Sequence, residues 1–175
     1  MTISVPDLLL AFLAAAVALA GFSGIVALID RGAAQVSLEL ASFRLRFLIL
    51  TALSTIVLSV APLLAIALLG ESETLWRVAC GLQAIWGASY MVRTFVLRRT
   101  FRGEAARGIR VGQFYAMTAV GAAAQAILLA GVFNYLPAPA SYAIGVFWFL
   151  LMVVVFFMRL VFMLDESLRN AERRP

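Results

Sequence analysis

The sequence contains no histidine and no lysine, and it has a single cysteine, Cys80. Without histidine the chain cannot provide a His-based zinc or iron site, a bis-histidine haem site or a Ser-His-Asp relay. Without lysine it cannot form a retinal Schiff base or a Ser-Lys dyad. Cys80 has no partner for an internal disulfide and lies in an apolar run, so we interpret it as a packing residue. These absences predict a protein without a metal or another cofactor.

Charge is also scarce. Charged residues make up 13% of the chain and hydrophobic residues 64%, whereas a soluble domain carries about 25% charge. None of the nine carboxylates lies in the interior of an apolar run. The chain therefore lacks the acid cluster of a lipid-modifying enzyme and the membrane-buried acid that coupled transporters use. We expect a membrane protein that is not an enzyme.

Five apolar runs are long enough to span a membrane, since about 20 helical residues cross a hydrocarbon core of about 30 Å. Each run is continuously apolar, whereas the strands of a membrane barrel alternate. The sequence therefore predicts an all-α fold, a polytopic bundle of five transmembrane helices in a single domain over residues 1–175. The predicted spans are 8–29, 47–69, 75–97, 111–136 and 142–164.

Residues typical of helix ends separate these spans. Thr74 suits the N-cap of the third helix, and PAPAS at 137–141 is predicted to stop one helix before the next begins. Inside the second span, Pro62 has no N–H, so the carbonyl of Leu58 loses its usual partner.

The arginines predict an orientation, because loops retained in the cytoplasm carry the Lys/Arg excess. Thirteen of the fourteen arginines fall on one side, and Arg77 alone falls on the other. The N-terminus is therefore expected outside and the C-terminus in the cytoplasm, with 98–110 as a basic cytoplasmic loop and 165–175 as a charged cytoplasmic tail. The arginine- and alanine-rich usage favours a bacterium, hence its inner (plasma) membrane. The strings AGFSGIV and SFRLRFL resemble small bacterial membrane proteins, a resemblance that implies no activity.

Four arginines fall within about one turn of the predicted cytoplasmic boundary, and we call them the basic collar. They are Arg44, Arg46, Arg93 and Arg159. Arginine at this depth keeps its stem in lipid while the guanidinium reaches phosphate. We expect the basic collar to contact anionic lipids of the inner leaflet. Nucleic acid is not expected, because the arginines flank apolar runs and form no separate basic domain.

Polar side chains recur on one face of each of three predicted spans, and we call them the polar seam. Its members are Thr51, Thr55, Ser59, Gln83, Tyr90, Thr118 and Gln125. Such residues either join helices by hydrogen bonds or line a pore, and the sequence leaves both interpretations open. Gln125 lies near the middle of its span, where an amide without partners is most unfavourable.

Two further patterns predict how the helices pack. Ala16, Ala20 and Gly24 follow one another at intervals of four, a small-residue face that lets helices approach within the protein or between subunits. The run VFWFLLMVVVFFM in the fifth span is bulky on every side. We expect this span to face lipid.

Two functions remain open. The chain is expected to be a structural or regulatory subunit of a membrane assembly, with polar groups satisfied internally or by other subunits. Alternatively it forms a homo-oligomeric channel or passive conduit, lined by the polar seam, for anions or small neutral solutes. The expected protein partners are further copies of the chain or other membrane subunits.

Overall fold

The computed structural model describes residues 4–33, 38–100 and 111–172, and every regular element within these ranges is a helix. The five helices are α1 (Val5–Ala33), α2 (Leu38–Leu69), α3 (Glu73–Thr100), α4 (Val111–Val132) and α5 (Ala138–Glu172). Each helix overlaps one predicted span, so the all-helical prediction is confirmed for the described residues.

Four of these helices contain a stretch long and apolar enough to cross a membrane: Val5–Ile25, Leu45–Leu69, Tyr115–Val132 and Ala138–Arg159. The exception is α3. This helix contains Glu73, four arginines and polar residues such as Gln83 and Tyr90, which together lower its hydropathy. Length and composition therefore support four candidate spans among the five helices.

Local hydrogen bonds explain where two of the helices begin. At the start of α1, the Asp7 N–H donates to Ser4 Oγ over 3.3 Å. At the start of α3, the Leu75 N–H donates to Ser72 Oγ over 3.2 Å. Ser72 is thus the N-cap of α3, and the prediction of Thr74 was wrong because α3 already begins at Glu73.

The end of α4 lies four residues before its predicted end at 136. The Tyr135 N–H donates to the Ala130 carbonyl over 2.8 Å, and the Asn134 N–H donates to the Gly131 carbonyl. Asn134 adopts a left-handed conformation with φ 65°. This is a Schellman motif with asparagine in the position that ends the helix, a signal that apolarity alone does not contain.

Predicted boundaries around α5 also need correction. The PAPAS stretch does not separate the helices, because α5 already begins at Ala138. Proline is tolerated in a first helical turn, where its missing N–H has no intrahelical partner to lose. The helix continues to Glu172, so the predicted tail 165–175 is helical over its described part. Residues 101–110 of the predicted basic loop lie outside the described residues.

The central helix of the bundle is α5, which packs against each of the other four helices. Its Trp148, Phe149 and Val153 are buried. The expectation that this span faces lipid was therefore wrong. A helix that is apolar on every side fits the interior of a bundle as well as it fits lipid, because both surroundings are apolar.

Candidate functional site

The polar seam lies inside the bundle. Four of its members, Thr51, Thr55, Ser59 and Gln83, have no exposed surface. Tyr90 is also buried, while Thr118 and Gln125 are half-buried. The structure distributes these residues over several helix interfaces and does not place them in one cluster.

On α2 the Thr51 and Thr55 hydroxyls are satisfied locally, whereas Ser59 Oγ is buried without a partner among the described residues. Thr51 Oγ1 donates to the Phe47 carbonyl over 2.7 Å, and Thr55 Oγ1 donates to the Thr51 carbonyl over 3.0 Å. The Thr51 oxygen also lies 2.7 Å from the Tyr90 hydroxyl on α3. A threonine hydroxyl has one hydrogen, which goes to Phe47, so Tyr90 is the donor in this second bond. The polar seam thus joins α2 to α3 by a hydrogen bond between two side chains of the same chain.

The proline in α2 is compensated by a side chain from another helix. Pro62 lies inside α2 and is buried. The Leu58 carbonyl that it leaves without an amide partner accepts a 2.5 Å hydrogen bond from the Tyr142 hydroxyl of α5. A hydrogen bond therefore joins α2 to α5 at the point where Pro62 interrupts the backbone hydrogen bonds of α2.

Gln83 is the least satisfied member of the seam. Neither its Nε2 nor its Oε1 finds a hydrogen-bond partner among the described residues, although the side chain is fully buried. The amide lies against Gly145 of α5, where an added Cβ would be 2.7 Å from Nε2. Glycine at this position leaves the space that the amide fills.

The same arrangement occurs for Gln125. Its Nε2 is buried without a partner in the described part of the chain. A Cβ added to Gly87 of α3 would lie 2.0 Å from this atom. Gln83 and Gln125 therefore both pack against a glycine on a neighbouring helix, but at different interfaces.

Sequence reasoning missed two polar residues of α5, Ser141 and Trp148. Both are buried, and neither Ser141 Oγ nor Trp148 Nε1 has a partner among the described residues. They pack against Gly131 and Gly121 of α4, where added Cβ atoms would lie 2.7 Å from the nearest side-chain atom. A signal was present, because Ser141, Gly145 and Trp148 recur at spacings of four and three.

The buried face of α3 follows a regular pattern, with Trp76, Cys80, Gln83, Gly87 and Tyr90 at spacings of four, three, four and three. These positions are all buried. The aromatic Trp86, in contrast, is half exposed.

Tyr90 is the centre of an aromatic cluster that joins three helices. Its ring lies 5.2 Å from that of Phe47 on α2 and 5.6 Å from that of Phe149 on α5. Phe47 in turn lies 5.0 Å from Phe156 of α5 in an edge-to-face arrangement. Such pairs contribute about 0.5–1.5 kcal/mol each beyond the burial of area. The α2, α3 and α5 helices are thus held together at this level of the bundle.

The basic collar lies about one turn beyond this aromatic cluster. Arg46 lies one position before Phe47 on α2. Arg93 lies three positions after Tyr90 on α3, and Arg159 lies three positions after Phe156 on α5. Arg46 and Arg93 are exposed, and Arg159 is half-buried. The side chain of Arg44 lies outside the described residues. Three helices therefore carry an arginine near the same end of the bundle.

The small-residue face of α1 is only partly covered in the single chain. Ala16 is buried and Ala20 half-buried, while Gly24 is exposed. A Cβ added to Gly24 would meet nothing within 4 Å. The face contributes to packing inside the protein at Ala16.

No group of three or more His, Cys, Asp or Glu side chains is placed to hold a metal in the described ranges. An open apolar depression of about 380 Å³ is lined by Met91, Val92, Phe95 and Val96 of α3, none of which belongs to the polar seam. Comparisons with family models, with curated proteins and with solved structures find no match to the chain.

Proposed function

We propose that this chain is an integral protein of a bacterial inner membrane that acts, without catalysis, as a structural or regulatory subunit of a membrane assembly. It crosses the membrane five times, with the N-terminus outside and the C-terminus in the cytoplasm. The observation that carries the proposal is the burial of the polar seam inside a single chain. Thr51 and Thr55 use their hydroxyl hydrogens within the protein and leave an apolar exterior.

The exterior of α3 supports a fifth crossing. Its polar residues Gln83 and Tyr90 are buried, so the low hydropathy of this helix comes partly from its interior face. Its 28 residues extend about 42 Å, longer than a hydrocarbon core of about 30 Å. Its exposed side chains are largely apolar and include Val78, Leu82, Ile85, Val92 and Val96.

A channel lined by the polar seam is less well supported. A conduit needs polar side chains that face a water-filled path. Thr51, Thr55 and Ser59 instead have no exposed surface. The burial of these residues favours helix joining over pore lining and therefore favours the subunit over the conduit. The basic collar supplies contacts to anionic lipids in either case.

Flux measurements test the choice between these functions. The purified chain is reconstituted in liposomes and assayed for flux of chloride, potassium and glycerol, with protein-free liposomes as reference. We expect no flux above the reference. Flux that Thr55→Leu or Gln125→Leu abolishes at normal folded yield would overturn the proposal in favour of the conduit. Val57→Leu, on the exposed face of α2, is the matched control.

The size of the native complex tests the assembly itself. Membranes from the source cell are solubilised in a mild detergent, and the particle that contains the chain is sized beside the purified chain. We expect the native particle to be larger, with a defined second subunit obtained by cross-linking. Equal size for the two samples would contradict a role as a subunit.

A further inference from the structure

We propose that the exposed side of α3 is the contact surface for a second copy of this chain, in a symmetric dimer within the membrane. The inference rests on the proposed fifth crossing, because α3 must span the membrane for this side to meet another helix there. It deepens the proposed role as a subunit, since it assigns one partner to one helix surface.

The exposed side chains of α3 form a straight row with coiled-coil spacing, which we call the α3 ridge. They follow one another at intervals of four and three, and they are Val78, Leu82, Ile85, Ser89, Val92 and Val96. At 100° per residue all six lie within about 80° of one another, on the side opposite to the buried Gly87. A surface with this spacing fits a second helix by knobs-into-holes packing.

The two flanks of the α3 ridge differ in size. Trp86 lies about 80° to one side of the centre of the ridge and is 50% exposed. Gly81 and Ala88 lie about 60° and 80° to the other side. A Cβ added to Gly81 would meet only Val132 Cγ2, at 4.0 Å. One flank is therefore large and the other small, and small residues let membrane helices approach closely.

A two-fold axis along the membrane normal would pair these unequal flanks. In a parallel pair of helices the two ridges face each other, and a residue on one flank lies opposite the residue five positions away on the other flank of the second helix. Trp86 of each copy then lies over Gly81 of the other. Because such a contact is isologous, a second copy supplies both halves of the fit.

The position of Trp86 in the membrane favours a covered indole. It is 13 residues beyond Glu73, the first residue of α3, which corresponds to about 20 Å of helix and places it inside a hydrocarbon core of about 30 Å. Tryptophan that faces lipid is enriched at the two interfaces, where its N–H reaches water. Within the chain, the buried Trp148 of α5 packs against Gly121 of α4. The proposed contact repeats this tryptophan–glycine pairing between two chains.

Sedimentation equilibrium of the full chain in density-matched detergent micelles tests the dimer. We expect a reversible monomer–dimer equilibrium, and Trp86→Ala should weaken it at least about tenfold. The matched control is Phe22→Ala, which removes an aromatic side chain that is 59% exposed on α1 and should leave the equilibrium unchanged. A monomer at every protein-to-detergent ratio, or equal weakening by the two variants, would overturn the proposal.

A second variant tests the small flank. Gly81→Leu places a branched side chain where Trp86 of the second copy is expected, so it should abolish the dimer at normal folded yield. Gly24→Leu is its control on α1, where an added Cβ likewise meets no close neighbour, and it should retain the dimer. An unchanged dimer in folded Gly81→Leu would contradict the pairing of the two flanks.

Disulfide cross-linking in native membranes identifies the occupant of the α3 ridge. In a Cys80→Ala background, Ile85→Cys should give a product of two chains on oxidation, because this position lies at the centre of the ridge and is 70% exposed. Val57→Cys is the control, on α2 at a side chain that is 58% exposed, and should give little product. Equal cross-linking at both positions, or a product that contains a different protein, would exclude the symmetric dimer.

Flux and association are measured separately, so the two proposals can fail independently. If liposomes show a flux that Thr55→Leu abolishes while Trp86→Ala still weakens the dimer, the subunit role fails and the α3 contact stands. If the chain gives no flux and remains a monomer, the α3 contact fails and the subunit role stands.

Discussion

At the scale of single residues, the hydroxyl of Tyr142 compensates for a proline on another helix. Tyr142→Phe removes the donor to the Leu58 carbonyl and leaves that partly buried group unpaired. We expect the free energy of unfolding to fall by about 1–2 kcal/mol. The measurement is an SDS titration of the folded protein in detergent micelles. Tyr135→Phe, at a side chain that is 82% exposed, is the control and should leave the value unchanged.

A double variant shows whether the two residues act together. Pro62→Ala restores the amide that normally serves the Leu58 carbonyl. In this background, Tyr142→Phe should lose most of its effect on the free energy of unfolding, a coupling of about 1 kcal/mol. An unchanged effect of Tyr142→Phe would mean that its hydroxyl stabilises the fold in some other way.

Gln83 leads to the opposite expectation. Its amide is fully buried without a partner among the described residues, and such a group costs about 1–3 kcal/mol. Methionine has a similar shape and no amide, so Gln83→Met should raise the free energy of unfolding by about 1–3 kcal/mol. The same SDS titration applies. A lower stability would show that the amide is hydrogen-bonded in the folded protein.

The sequence alone predicted one residue of each of these two interacting pairs, Pro62 with Tyr142 and Gln83 with Gly145. Pro62 identified the carbonyl that lacks a partner, because the consequence of a missing N–H is local. Its partner Tyr142 was not predicted, because it is distant in sequence and begins the span that was expected to face lipid. Gln83 was singled out by its polarity. Its contact with Gly145 depends on how two helices pack, and a single sequence does not determine that.

At the scale of helices, the interfaces of α4 and α5 depend on glycine. A Cβ on Gly131 would lie 2.7 Å from the Cβ of Ser141, an atom that cannot rotate away. We expect Gly131→Ala to lower the free energy of unfolding by about 1–3 kcal/mol. Gly21→Ala is the control, since nothing lies within 4 Å of its added methyl. It should be neutral or stabilise by up to about 1 kcal/mol.

A second substitution shows whether Gly131→Ala destabilises through a clash with Ser141 or through a general effect on α4. Ser141→Gly removes the atom that the new methyl meets, so Gly131→Ala with Ser141→Gly should recover stability relative to Gly131→Ala alone. A double variant less stable than either single variant would exclude the clash.

Helix existence was predictable and helix arrangement was not. A run of about 20 apolar residues predicts a helix because backbone groups in lipid must bond within their own segment. The central position of α5 did not follow, since Trp148 and Phe149 suit lipid and protein interior equally. The end of α4 was missed because Asn134, and not a loss of apolarity, terminates it.

At the scale of the whole molecule, cysteine labelling tests how many times the chain crosses the membrane. Replacing the single Cys80 with alanine gives a background without thiols. Single cysteines are then placed at Glu73, the exposed first residue of α3, at Leu136, which is exposed between α4 and α5, and at Ala105 in the 98–110 segment. Five crossings put the first two outside and the third in the cytoplasm. In intact cells, a membrane-impermeant maleimide should label cysteine at Glu73 and Leu136 but not at Ala105. After the cells are opened it should label all three.

The pattern of labelling separates the alternatives because α3 lies between the first and third probes. If α3 does not cross, cysteines at Glu73 and Ala105 lie on the same side and label together. If all five helices cross in the reverse orientation, only the cysteine at Ala105 labels in intact cells. The exposed side chains of α3 are largely apolar, as expected for a helix surface in lipid. Five crossings would also place thirteen of the fourteen arginines on one side, which is the distribution expected when positive loops stay in the cytoplasm. We therefore expect the first pattern.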